Sequence, residues 1–305
     1  MSAREYRFAQ VDVFTDRVFG GNPLAVVLEA TGLADGEMQA IAKEMNLSET
    51  TFLLPPTRAE CALRVRIFTP ARELRFAGHP TVGTAWVMAT QGLVPGTASA
   101  FSLEEGIGPV PVTLEGDPRN PSFVWMRHGE PEFGPEMTNR AEIAEALNLT
   151  EADLIAGAPI QTGSTGSRFM FVPLRDRATV DRALLDVPKI VKALGDQPLV
   201  GIFVFAPDPD PGAGRVHSRM FAPHTSGIPE DPATGSATGP LGAYLVKQRL
   251  IKAVDGPVQI VSDQGVKMGR HSRLHIRGVA REGHLDQIEV GGGVVPVIEG
   301  VLRVP

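Results

Sequence analysis

Arg66-Ile-Phe-Thr-Pro70 returns in this 305-residue chain as Arg219-Met-Phe-Ala-Pro223, an offset of 153 residues (219 − 66). A repeat at half the chain length constrains the fold more than any other feature, because a unit that occurs twice must build its core twice. The residues beyond each copy repeat as well. A short loop leads to a glycine and an uncharged run, Ala77-Gly-His-Pro-Thr-Val-Gly-Thr-Ala85 in the first half and Thr234-Gly-Ser-Ala-Thr-Gly-Pro-Leu-Gly242 in the second, where the loop is four residues longer. Upstream of each copy a glycine turn enters an apolar strand, at 21–28 and at 166–174. Length agrees, since 305 residues exceed the usual size of one core and suit two lobes of about 150.

The residue pattern predicts an α+β fold. β-type runs fall at 8–14, 24–28, 50–54, 63–68, 123–126, 169–173, 200–205, 215–221 and 258–261. Amphipathic helices fit 35–44, 140–147 and 187–194. Gly129-Glu-Pro-Glu-Phe-Gly-Pro-Glu136 reads as a linker, which places the N-terminal lobe at 1–129 and the C-terminal lobe at 130–289. Two further helices, 80–91 and 236–246, contain no charged residue, so each is expected to be buried all round as the axis of its lobe's sheet. Pro80 suits a first turn, and Pro240 would do so if the second helix began near Ala237.

Composition removes several classes of function. A formal charge of −6 with no basic run argues against nucleic acid as a partner. Cys61 is the single cysteine, which leaves no intramolecular disulfide and no zinc site built on several thiolates. His217, His224 and His271 lack ligand spacing, so no metal is expected. No stretch is long and apolar enough for a bilayer, and MSAREYRFAQ has no apolar segment behind its arginines; a cytoplasmic protein without a membrane partner is expected. Neither a phosphate-binding glycine loop nor a Gly-x-Ser-x-Gly elbow is present.

The chemistry is expected where the uncharged helices begin. A buried helix start leaves amides without partners and carries the positive end of the dipole. Gly78 and Gly235 allow close backbone approach there, so the two starts could bind an anion; the plainer alternative is a cap from Ser236, Thr234 or water. His79 lies at the first start, where the dipole favours neutral imidazole. Asp231 precedes the second, as a base or as an N-cap or Asx turn, and Glu230 beside it could serve instead. Glu49 comes after Asn46, a candidate helix C-cap, in a connecting turn; it reads as a functional acid or as a solvated loop residue.

Five stretches carry a resemblance: DVFTDRVFGGNPLAVVL from Asp12, NLSETTFLLP from Asn46, RIFTPARELRFAGHPTVGTA from Arg66, GIPEDPATGSA from Gly227 and QGVKMGR from Gln264. Together they span nearly the whole chain, which resembles the PhzF-like phenazine-biosynthesis isomerases, relatives in fold of diaminopimelate epimerase. The resemblance implies two pseudo-symmetric lobes, each a β-barrel-like sheet around a central helix, with the active cleft between them, a final strand (about 290–305) returning to the first lobe, and commonly a homodimer. It also implies that Glu49 is the general acid/base, that His79, Asp231 and Ser236 line the substrate site, and that Gly78 and Gly235 offer backbone donors. Ala77 and Thr234 stand where the epimerases carry paired cysteines, which removes thiol racemisation. His271 departs from the family pattern, where proline is expected.

The implied reaction is a cofactor-independent isomerisation moving a proton between carbons of a small unsaturated or cyclic amino-carboxylate. It needs a carboxylate that can return its proton, by enclosure that raises its pKa, and donors for the substrate carboxylate. The rivals are an amino-acid racemase or epimerase, with Glu49 and Asp231 or His79 as two bases, and a non-catalytic carboxylate-binding protein.

Overall fold

The computed structural model describes residues 4–195, 199–222 and 228–305. His224, Pro223 at the end of the second repeat copy, and Gly227 lie outside the described residues. The chain divides into two compact units, one of residues 4–127 with 290–305 and one of residues 128–222 with 228–289.

The first unit contains β1 (Arg4–Val13), β2 (Asn22–Val27), α1 (Asp35–Met45), β3 (Glu49–Leu54), β4 (Leu63–Phe68), β5 (Glu73–Leu74), α2 (Gly78–Thr90), β6 (Ala100–Glu105), β7 (Gly108–Asp117) and β8 (Asn120–Arg127). The second contains β9 (Glu132–Glu136), α3 (Arg140–Ala146), β10 (Gln161–Ser164), β11 (Arg168–Pro173), α4 (Arg177–Arg182), α5 (Val187–Leu194), β12 (Gly201–Pro207), β13 (Arg215–Phe221), β14 (Glu230–Asp231), α6 (Gly235–Lys247), β15 (Gly256–Gln264), β16 (Ser272–Arg281) and the greater part of β17 (His284–Gly292), whose residues from Val290 are counted with the first unit. The last strand, β18 (Val294–Val304), belongs to the first unit and runs antiparallel along β1.

The strand order in the first unit is β18-β1-β2-β3-β4-β6-β7-β8, antiparallel except at β2–β3 and β4–β6. In the second it is β9-β10-β11-β12-β13-β15-β16, with parallel steps at β11–β12 and β13–β15. The short strands β5 and β14 pair with β4 and β13 in the same way. The five-residue sequence repeat therefore marks a repeat of topology, with parallel and antiparallel steps in the same places. β17 continues the second sheet through a tight turn whose Glu282 and Gly283 both have positive φ, the geometry of a two-residue hairpin.

Both uncharged helices are buried along their length, from Gly78 to Ala89 in α2 and from Gly235 to Val246 in α6. α2 packs on β1, β2, β3, β7, β8 and β18, and α6 on β10, β11 and β16. Small residues permit this. A Cβ on Gly239 would lie 2.7 Å from Cγ of the buried His128 ring, so the helix can approach that strand end only as glycine. One large residue of α6, Tyr244, fills the second core edge-to-face against Phe171 and Phe205, and its hydroxyl donates to Pro159 O at 2.6 Å. Among the described residues no helix is long and apolar enough to cross a membrane.

Two expectations change, and Cys61 is placed. The 129–136 stretch is no simple linker: Glu132–Glu136 forms β9 and pairs with β10, its polar and proline residues suiting an edge strand. Pro240 is not in the first turn, because α6 begins at Gly235; it sits inside the helix and withholds the N–H that Ser236 O would accept. Cys61 is buried in the turn before β4, outside any strand.

One ion pair is duplicated with the fold. Arg66 holds Glu73 with two hydrogen bonds of 2.7 Å, and Arg219 holds Glu230 with bonds of 2.8 and 2.9 Å, so each β4-type strand is tied to its short neighbour. The second copy is the drier. Arg219 is 7% exposed and its remaining donors reach the carbonyls of Val180, Asp181 and Ala183. Removing it would strand a half-buried carboxylate and three carbonyls. Arg219→Ala is expected to cost about 3–5 kcal/mol in chemical unfolding, and Arg66→Ala clearly less because its partners Glu73 and Asp35 are exposed.

Candidate active site

Glu49 is the first residue of β3, aligned with Leu24 of β2, and its side chain is only 12% exposed. The solvated-loop reading is thus wrong: Asn46 closes α1 in the left-handed conformation (φ 52°), and the chain turns inward through buried Ser48 before Glu49. The parallel step β2–β3 places this strand start near the opening of α2.

His79, the second residue of α2, is buried. Its Nδ1 lies 3.0 Å from Nδ2 of Asn22, the buried first residue of β2. An amide nitrogen can only donate, so Nδ1 accepts and the ring hydrogen sits on Nε2. Glu49 Oε2 lies 3.4 Å from that nitrogen. The separation is long for an N–H···O bond. Burial pushes the His79 pKa down to about 3, so the imidazole is neutral and acts as a donor of fixed tautomer.

In the second unit Asp231 closes β14 and is buried. Its Oδ2 accepts the Thr234 hydroxyl at 2.6 Å. Gln264, buried at the end of β15, donates to Asp231 O at 2.8 Å and to Thr234 Oγ1 at 3.0 Å, and accepts from Thr234 N at 3.1 Å. Gly265 comes next with φ +72° where a Cβ would meet Pro232 O at 2.6 Å, so this crossing accepts only glycine. Glu230 cannot replace Asp231, because Arg219 takes both of its oxygens.

Neither helix start has a side-chain cap. Thr234 is turned to Asp231, while Ser236 occupies the second helical position, the place His79 holds in α2. Gly78 and Gly235 are each the first helical residue, so their amides point out of a buried helix opening. A cap from the Ser236 or Thr234 side chain is therefore not formed at the second opening.

The strand registers show where the repeats differ. Phe68 pairs with Thr50 and its repeat equivalent Phe221 with Ile202, which makes Gly201 the counterpart of Glu49. No side chain fits there: a Cβ on Gly201 would lie 2.6 Å from Phe221 O. By the same registers Leu74 matches Asp231, and the helix starts match Ala77 with Thr234 and His79 with Ser236. One unit therefore carries the base-like acid and the imidazole, and the other carries the aspartate and the hydroxyl.

Asn22 and Gln264 escaped the sequence reading. Both lie in quoted motifs, but Asn before Pro reads as a turn residue and Gln before Gly as a strand end. Their partners are 57 and 30 residues away in the chain.

A family model described as phenazine biosynthesis-like protein, PhzC-PhzF, matches residues 11–300. The chain is 37% identical to the uncharacterized isomerase YddE of Salmonella typhimurium, over 93% of this chain and 94% of that protein. It is 36% identical to the trans-2,3-dihydro-3-hydroxyanthranilate isomerase of Pseudomonas aeruginosa, over 97% and 98%. The crystal structure of a Bacillus anthracis phenazine biosynthesis protein of the PhzF family matches with a TM-score of 0.86 at 28% identity, covering 98% of this chain and 99% of that one.

The His79 geometry has a direct spectroscopic consequence. Nitrogen NMR of labelled protein is expected to show Nδ1 bare and Nε2 protonated from pH 8 down to about pH 4, since the folded pKa is about 3 against an ordinary 6.5. Because the unfolded chain takes up this proton first, His79 lowers stability as pH falls through that window. A ring titrating near pH 6.5 would refute the assignment.

Proposed function

Because the chain belongs to the phenazine biosynthesis-like PhzC-PhzF family and is an isomerase of that type, we propose that it moves a proton between carbons of a small unsaturated or cyclic amino-carboxylate, with Glu49 taking and returning the proton. The observation that carries this reading is asymmetric: Glu49 stands at a buried strand start beside the neutral His79, and the matching position of the second unit is Gly201. A single carboxylate that both removes and returns a proton relocates it along one face of the substrate. Two-base inversion needs a second base: His79, with a pKa of about 3, is too weak a base to share the work, and Asp231, whose Oδ2 accepts the Thr234 hydroxyl, is assigned to substrate binding.

In this mechanism the Glu49 carboxylate removes a C–H proton, and the electron pair spreads into the adjoining unsaturation. Protonated Glu49 then delivers the proton to the far carbon of that system, and the carboxylate is regenerated. The His79 Nε2–H supplies a fixed donor beside the reacting atoms. In the first unit the Gly78 amide, and in the second the Gly235 amide with Asp231 and Ser236, are assigned to substrate binding. Every step uses carboxylate, imidazole, hydroxyl and amide groups, so no cofactor is assigned.

The test is incubation of trans-2,3-dihydro-3-hydroxyanthranilate, and a panel of cyclic amino acids, with protein dialysed against chelator in deuterated water. Wild type is expected to isomerise one member and place solvent deuterium on a new carbon. Glu49→Gln should slow this by about 10²–10⁴-fold. Equal rates in the two proteins would remove Glu49 from its role, and stereoinversion at one carbon without a shift would favour the racemase.

A further inference from the structure

We propose that Glu105 is a positioning residue of the first helix start: held as a neutral carboxylic acid, it donates its proton to Thr81 and fixes the turn of α2 that presents Gly78 and His79. The inference deepens the reading of that start as part of the active site and rests on it for its functional meaning.

Glu105 ends β6 and is buried, as is Thr81 in the first turn of α2. Thr81 Oγ1 lies 2.7 Å from Ala77 O and 2.5 Å from Glu105 Oε1. A hydroxyl has one hydrogen, and a carbonyl can only accept. Were Glu105 ionised, two acceptors would compete for that hydrogen, and one contact would press lone pair against lone pair. A proton on Glu105 satisfies both: the acid donates to Thr81, and Thr81 donates to Ala77 O. The other oxygen, Oε2, is buried without a hydrogen-bond partner, a position that an anion tolerates poorly and a neutral acid tolerates better.

The charged groups on neighbouring elements do not offset a charge at Glu105. Glu104, next on β6, is turned to Thr57 and the Arg58 amide. On β4, Arg64 aligns with Glu104, and Arg66 is bound to Asp35 and Glu73. Arg75, ahead of α2, donates to Gly106 O. Burial accordingly raises the Glu105 pKa to about 8 from its ordinary 4.5, against a smaller opposing effect of the Thr81 hydrogen bond.

The repeat supplies an independent observation. Leu63 pairs with Leu103 and its equivalent Val216 with Ser262, so Glu105 corresponds to Gln264. Gln264 is a neutral side chain that donates hydrogen bonds into the turn before α6. The same strand position thus braces both helix starts with an uncharged donor, an amide in one unit and a protonated acid in the other.

The test compares wild type with Glu105→Gln, Glu105→Leu and Thr81→Val. Infrared difference spectra at pH 7 should show a protonated carboxyl band that disappears in Glu105→Gln and shifts in Thr81→Val. The Gly78 and His79 amide resonances should titrate near pH 8 in wild type and stay flat in Glu105→Gln. Wild-type stability should fall as pH rises from about 4.5 to 8, because the unfolded chain releases this proton first, and that slope should vanish in Glu105→Gln. With trans-2,3-dihydro-3-hydroxyanthranilate as substrate, Glu105→Leu should lower kcat about tenfold through mispositioning, and Glu105→Gln should recover most of it and lose the alkaline fall in rate. Absence of the carboxyl band at pH 7, or a helix start whose amides titrate unchanged in Glu105→Gln, would overturn the proposal. Neither readout needs turnover, so a protein inactive on every substrate would count against the Glu49 mechanism and leave the state of Glu105 decided.

Discussion

A helix that opens uncharged and buried must deal inside the protein with the amides of its first turn. That constraint governs both units. α2 and α6 lack side-chain caps, and their first turns are built from Gly78-His79-Pro80 and Gly235-Ser236-Ala237. Buried polar groups gather at these openings because an unpaired amide in a dry interior costs about 1–3 kcal/mol. Asn22 and Glu49 come to the first, Asp231, Thr234 and Gln264 to the second. The sheets hold the helices and the helices place their starts, so the chemistry is a product of packing.

Much of the fold was legible because its signals are local. Uncharged runs announced the central helices, and the strand at Arg215–Phe221 and the helix at Val187–Leu194 fall on the expected residues. What was missed depended on context. β9 is rich in acid and proline and becomes a strand only because β10 lies beside it, while α4 is six residues long, too short for a periodic pattern. At the candidate site, the place of His79 at a helix opening could be read from glycine, proline and the lack of charge. Its tautomer could not, because that is set by Asn22, which only the pairing of distant strands brings within reach. The Glu49 turn reads as surface in one dimension, since nothing local says that the parallel β2–β3 step carries it inward.

The duplicated frame shows which parts are architecture and which are chemistry. Arg–Glu pairs, parallel steps and threonines that donate back to the helix start recur in both units: Thr81 to Ala77 O at 2.7 Å and Thr238 to Thr234 O at 2.9 Å. The divergent pairs are Glu49 with Gly201, Leu74 with Asp231, and His79 with Ser236. Shared residues answer the demands of burial common to any copy. The differing ones lie at the helix openings and at the strand ends beside them.

Gly201 limits what the second unit can carry opposite Glu49. Its Cβ position is closed by the Phe221 carbonyl, part of the backbone and unable to swing aside as a side chain could. An acid at position 201 would need a different path for β13. Engineering two equivalent bases into this scaffold would therefore begin with the backbone around Phe221, and residue choice at position 201 would come second.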